Sequence, residues 1–141
     1  MSYLLDTCIL SKLRKIQTHP NEKLESWFRK HPESAYFINV LSIGEIQKGI
    51  AKLVQHENKR ILEDWLTGEL IPRFENRILT IDAETASIWG DLCSNGQRKG
   101  TLFSVMDSLL AASAIQHHLI LVTENIKDFV HTGAHLFNPF E

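Results

Sequence analysis

The sequence predicts an α/β fold: a mostly parallel central sheet with helices on both faces. Two observations carry this. Five short runs rich in aliphatic, β-branched and aromatic residues have the length of strands, and segments with helical periodicity lie between them. Alternation of that kind implies parallel strands, because each parallel connection needs a crossover and the crossing helices come to cover the sheet.

The first run is "SYLLD", Ser2 to Asp6, with a helix starting near Ile9. "NEKLESWFRK" (21–30) then places Leu24, Trp27 and Phe28 on one helical face. The second strand is "AYFINV" (35–40), followed by the helical "SIGEIQKGIAKL" (42–53) with Ile43, Ile46, Ile50 and Leu53 in register. "NKRILEDWLTGEL" (58–70) continues the helical pattern, and "RILTI" (77–81) and "DAETASIWGDLC" (82–93) supply the third strand and its helix. "SNGQRKGTLFS", Ser94 to Ser104, has two glycines and a basic pair and reads as a surface loop. "SVMDSLLAASAIQHH" (104–118), "LILVT" (119–123) and "HLFN" (135–138) complete the series as helix, strand and strand. Trp27, Trp65 and Trp89 fall among aliphatic neighbours at helical spacing, which suits core packing better than base stacking.

The 141 residues fit one domain over 1–141, with no repeat or linker to divide it. A chain 43% hydrophobic and 23% charged is globular rather than disordered. No apolar stretch nears the roughly 20 residues of a membrane helix, and the N-terminus lacks a signal-peptide pattern, so a cytoplasmic, membrane-free protein is expected. Cys8 and Cys93 are too few for a disulfide framework; Cys8 reads as a small buried thiol. With a formal net charge of −2, the whole-molecule field does not attract nucleic acid. An RNA ligand would need local patches such as Lys12, Arg14 and Lys15 or Arg98 and Lys99, or a metal bridging to phosphate. Those basic clusters read equally well as solvated helix ends and loops.

Ligands of open parallel sheets bind outside the carboxyl ends of the strands. Asp6 stands at such an end, where a carboxylate carries a desolvation cost unless something pairs with it. It caps the next helix, closes a turn, or faces a crevice with other acids and binds a metal. Glu45 lies three residues after Ser42, in the first turn of the helix following "AYFINV", and Asp107 lies three after Ser104 at the start of another. Singly, Ser-x-x-Glu and Ser-x-x-Asp are capping patterns. Together, three acids at one sheet edge repel one another unless a cation sits among them, and oxygen-only ligands suit Mg²⁺ or Mn²⁺. The turn "TENIKDF" adds Thr123, Asn125 and Asp128 at the same edge. Asn125 either caps the short helix that follows or holds a metal-bound water, and Asp128 is placed to add a carboxylate.

Other chemistries find less support. His117, His118, His131 and His135 come with no thiolate pair or His-Glu helix motif for zinc, and nucleophile elbow and Gly-rich phosphate loop are both missing. A phosphoacceptor domain would use Asp82 after "RILTI" but lacks a lysine directly after "LILVT".

On these residues the chain resembles the PIN-domain family, in particular the VapC-type toxins of bacterial type II toxin–antitoxin systems. "LLDTCILSKLR", "NVLSIGEIQKGI", "VMDSLLAASAIQHHLILVTENIKDF" and "FNPF" match the family's landmarks in order over essentially the whole chain. The resemblance implies a three-layer α/β/α sandwich with Asp6, Glu45 and Asp107 as metal ligands. It places Asn125 where the family's fourth acid or its Asn replacement stands, with Thr7, Thr123 and Asp128 in support. It further implies an Mg²⁺- or Mn²⁺-dependent endoribonuclease acting on tRNA or ribosomal RNA, commonly a homodimer, inhibited by a VapB-like antitoxin that enters the cleft. Two positions depart from the pattern: Cys8 replaces the Asn after the Asp-Thr pair, and Glu124 replaces an Arg of the closing turn. The rival reading is the same fold as a catalytically weak module that binds RNA or antitoxin.

Overall fold

Strands so uniformly apolar must be covered on both faces, and they are. The structure, a computed structural model describing residues 1–141, contains β1 (Tyr3–Leu5), β2 (Tyr36–Asn39), β3 (Ile78–Leu79), β4 (Ile120–Val122) and β5 (Leu136–Phe137). All neighbours pair in parallel, in the order β3-β2-β1-β4-β5. Each strand lies inside the run that predicts it. The sequential first strand is thereby central, and the carboxyl ends of β1, β2 and β4 are side by side.

Because successive side chains of a strand point to opposite faces, β1 feeds two cores. Tyr3 and Leu5 join Ile9, Leu10, Leu24, Trp27, Tyr36, Ile38, Ile50 and Phe74 on one side, whereas Leu4 joins Leu92, Leu110, Ala111, Leu121 and Phe129 on the other. The first layer is built from α1 (Thr7–Arg14), α2 (Glu22–Arg29), α3 (Val40–Ala51), α4 (His56–Trp65) and the short α5 (Ile71–Arg73). The second comprises α6 (Ala83–Arg98), α7 (Val105–Gln116) and the short α8 (Ile126–Phe129). The small residues of α7, with Ala111, Ala112 and Ala114 all fully buried, let it pack closely onto α6 and the sheet. Trp89 of α6 donates its indole N–H to the buried Ser108 of α7 at 2.8 Å, a packing role as the spacing predicts. No helix is long and apolar enough to cross a membrane.

Three boundaries differ from expectation, each for a visible reason. Helix α1 starts at Thr7, directly after Asp6, rather than near Ile9. Helix α3 starts at Val40 rather than at Ser42, because the buried Asn39 is its cap, accepting from the Leu41 N–H at 2.9 Å. Glu45 is therefore not in the first turn, and the capping-box explanation of Ser42 and Glu45 is excluded. Helix α6 runs on to Arg98 through half of the expected loop. Gly96, read as a breaker, is instead a close-contact site: a Cβ there would stand 2.5 Å from the Phe103 ring, and its carbonyl accepts from Thr101 N–H at 2.8 Å. The chain turns at Gly100, whose φ of +80° favours glycine.

Candidate active site

Asp6 leaves β1 with its backbone N–H on the Val122 carbonyl of β4 at 3.0 Å, so it is held between the two central strands. It is 9% exposed, and its carboxylate accepts from Thr7 N–H at 2.7 Å and from the Thr123 hydroxyl at 2.8 Å. It is thus both the α1 cap and an acid facing its neighbours across the sheet edge. The Cys8 thiol lies 3.6 Å from the same carboxylate. Burial and the Asp6 charge push that thiol up to about 11, so it stays protonated and serves as a donor.

Thr7 carries the link to α3. Its hydroxyl oxygen is 2.9 Å from Glu45 Oε1 and 3.0 Å from the fully buried Ser42 hydroxyl. A hydroxyl has one proton and a carboxylate only accepts, so Thr7 donates to Glu45 and the Ser42 proton completes its contact with Thr7. Ser42, expected as a cap, is the base of this bridge. Glu45 is exposed as a residue, yet its carboxyl, folded back on Thr7, is partly withdrawn from water. That withdrawal raises it above the ordinary carboxylate range, and the charges of Asp6 and Asp107 raise it further.

Asp107 arrives from α7, where Ser104 is the N-cap and accepts from the Asp107 N–H at 3.2 Å, as the spacing predicts. Its carboxyl is also raised, by desolvation first and then by the charges of Asp6 and Asp128. Asp6, Glu45, Asp107 and Asp128 therefore share one edge, where the charge of Asp6 reaches Glu45 and Asp107 and that of Asp128 reaches Asp107. None of them takes part in an ion pair; Lys48 is the cation that eases Glu45. As they stand, no three His, Cys, Asp or Glu side chains are gathered tightly enough to grip a metal ion. The donor set nonetheless fits a hard divalent cation: three to four carboxylates and no soft ligand beyond a protonated thiol.

Asn125 does not cap α8 with its side chain; its backbone N–H bonds to Thr123 Oγ1 at 3.0 Å, leaving the exposed amide at the edge. Asp82, the acid of the phosphoacceptor reading, is engaged as the α6 cap in a full capping box with Thr85. The basic patch of α1 is also committed: Lys12 pairs with Glu124 at 2.9 Å, and Arg14 lies over the Trp65 ring. Sequence reasoning missed Ser42 as a bridge and the Lys12–Glu124 pair, for which no local pattern exists. A groove of about 710 Å³ lined by Leu13, Ile61, Trp65 and Leu70 includes none of the four acids.

Comparison with known proteins bears on the family and the fold. The chain is 28% identical over 137 residues, 97% of each chain, to Toxin FitB of Neisseria gonorrhoeae. It is 24% identical over 138 residues to the VapC ribonuclease Y4jK of Sinorhizobium fredii, covering 98% of this chain and 97% of that one. The crystal structure of FitAcB from Neisseria gonorrhoeae superposes with a TM-score of 0.89 at 27% identity, over 99% of both chains. The acids that end β1 and line α3 and α7 fall within residues 3–134, the span matched by the PIN domain model, and the chain belongs to the PIN-domain family.

Proposed function

We propose that the protein is an Mg²⁺- or Mn²⁺-dependent endoribonuclease toxin that cleaves structured RNA, tRNA or ribosomal RNA, and is held inactive by a VapB-like antitoxin. The observation that carries this reading is a set of neighbouring acids, none of them in an ion pair, at the carboxyl edge of a parallel sheet. Asp6, Glu45 and Asp107 hold the ion, and their formal charge of about −3 exceeds what one divalent ion offsets. When bound, such an ion activates water at neutral pH and screens phosphate charge. The chain's own residues do the rest. Thr123 and the Thr7 N–H orient the Asp6 carboxylate, the Thr7 hydroxyl orients Glu45, and Ser104 starts the helix that presents Asp107. Asn125 and Asp128 stand where a water or a fourth ligand would be held. No protein nucleophile is required, consistent with the protonated Cys8.

A toxin made in its own host needs a restraint, which an antitoxin entering this edge supplies; the kinship to FitB and a VapC ribonuclease supports both halves of the reading. The working unit is a homodimer. A second reading, a catalytically weak RNA- or antitoxin-binding module, draws on Asn125 in place of an acid and on the loose spacing of the carboxylates. Incubating purified protein with total RNA separates the two. Cleavage that requires Mg²⁺ or Mn²⁺, stops with EDTA and stops with the antitoxin is the expected result; RNA bound but intact under all conditions selects the binding module.

A further inference from the structure

The turn after β4 is gripped from α1 at three successive levels. The Asp6 carboxylate accepts from Thr123, the Cys8 sulfur lies 3.8 Å from the Thr123 hydroxyl, and Lys12 Nζ holds Glu124 Oε2 at 2.9 Å. The Lys12 ammonium also lies 4.5 Å from the centre of the Phe140 ring, whose residue is tied to α2 through its carbonyl and Lys23 at 3.2 Å. One lysine thus joins α1, the turn carrying Asn125 and the C-terminal segment. Asn125 is tied through its backbone alone, its N–H to Thr123 Oγ1 and its carbonyl to the Asp128 N–H, so where its amide sits depends on how this turn is held.

We propose that Lys12 is a positioning residue acting through Glu124: the pair fixes the 123–125 turn against α1 and so sets Asn125 relative to Asp6. The inference rests on the nuclease reading for its catalytic consequence. The competing role, a free cation for RNA phosphate, is disfavoured because Lys12 is already neutralised by Glu124 beside a carboxylate-rich edge.

With side chains 43% and 33% exposed, the pair shifts a conformational equilibrium by up to about five-fold, and a like-charge pair in its place by about ten-fold. The test compares wild type, Lys12→Glu, Glu124→Lys and the double exchange, with neutral Lys12→Met and Glu124→Gln as milder variants should a reversal unfold. Each reversal is expected to lower kcat about five- to ten-fold at unchanged KM, with the exchange returning to within about two-fold of wild type. The Asn125 side-chain amide resonances should move in each single variant and return in the double. Unchanged kcat in the single variants, no recovery in the exchange, or a KM raised by Lys12→Glu and lowered by Glu124→Lys would overturn the proposal, the last by making Lys12 an RNA contact. If wild type cleaves no RNA at all, the nuclease reading fails on its own, and the Asn125 resonances still decide whether the pair sets that turn.

Discussion

Two carboxylate neighbourhoods of this molecule shift their acids in opposite directions. Before β2, Glu33 faces two arginines: Arg73 approaches both of its oxygens at 2.7 and 3.1 Å and Arg77 adds a contact at 3.3 Å. Arg77 spends its remaining donors on the carbonyls of Glu33, Tyr36 and Arg73 at 2.6 to 2.7 Å. The hydrogen bond from Arg73 leads in holding the Glu33 carboxyl below its usual range. At the carboxyl edge of the sheet, Glu45 and Asp107 instead feel Asp6 as a neighbour and are raised. The first cluster is complete and locks β2 to the chain entering β3. The second contains no ion pair within the chain.

The largest expected effect comes from removing charge at the incomplete cluster. Glu45→Gln, Asp107→Asn and Asp6→Asn should each reduce RNA cleavage by about a thousand-fold or more, since on the proposed reading all three carboxylates serve one ion. Thermal unfolding should move the other way for Glu45→Gln and Asp107→Asn, with Tm unchanged or raised as repulsion is relieved. Full activity in any of the three would remove that residue from the site. Neutralising the complete cluster should invert this pattern. Arg77→Met removes a donor from the carbonyls of Tyr36 and Arg73, while that of Glu33 keeps the Tyr36 N–H, at a side chain only 15% exposed, costing about 1–3 kcal/mol in denaturant unfolding while RNA cleavage by the folded fraction persists.

The contrast also explains what could be read from the chain. Every strand was legible because each is a compact apolar run, and the acids at strand ends were legible because parallel sheets put ligands there. Their meeting at one edge follows from the topology, but the contacts that hold them there do not, since Thr7 meets Ser42 and Glu45 across 35 and 38 residues and no local pattern encodes the approach. Ser42 and Gly96 were misread through local rules that tertiary contacts override. A serine three residues before a glutamate looks like a cap until Asn39 takes that place, and a glycine looks like a breaker until Phe103 packs on it. Asn125, for which the sequence leaves capping and water-holding both open, occupies the α8 N-cap position without a side-chain bond. The Lys12–Glu124 pair joins positions 112 residues apart and was visible only as a basic patch and a departure from the family pattern.

Supplying the missing partner sharpens the comparison at intermediate scale. Glu45 and Asp107 have folded-state values above their ordinary 4.5 and 3.8, so in the window just above those ordinary values the native state binds more protons than the unfolded chain. Their contribution to stability therefore declines as pH rises through that window and remains unfavourable above it. Mg²⁺ at ten times its dissociation constant should then stabilise the protein by about 1.4 kcal/mol at pH 7.5, a Tm rise of roughly 2–6 °C. The rise should shrink as pH falls through the raised values, because protons compete for the same oxygens. A Mg²⁺ effect equal at pH 7.5 and pH 4, or one that survives Asp107→Asn in full, would mean the ion binds elsewhere.

Glu33→Gln should show the opposite pH sense at the smallest scale. Its folded-state value is depressed below the ordinary 4.5, so the stability it provides is fully present above that value and is lost as pH falls through the depressed one. Glu33 and Arg73 are both 44% exposed, which limits the pair to about 1 kcal/mol at neutral pH, and salt should screen part of it. The Tm difference between wild type and Glu33→Gln is accordingly expected at pH 7 and should vanish in acid, where Glu33 is itself neutral. Mg²⁺ should not change that difference, because Arg73 and Arg77 already occupy the carboxylate. If Mg²⁺ did enlarge it, the two clusters would be coupled, and the division between a neutralised structural acid and an open functional one would have to be abandoned.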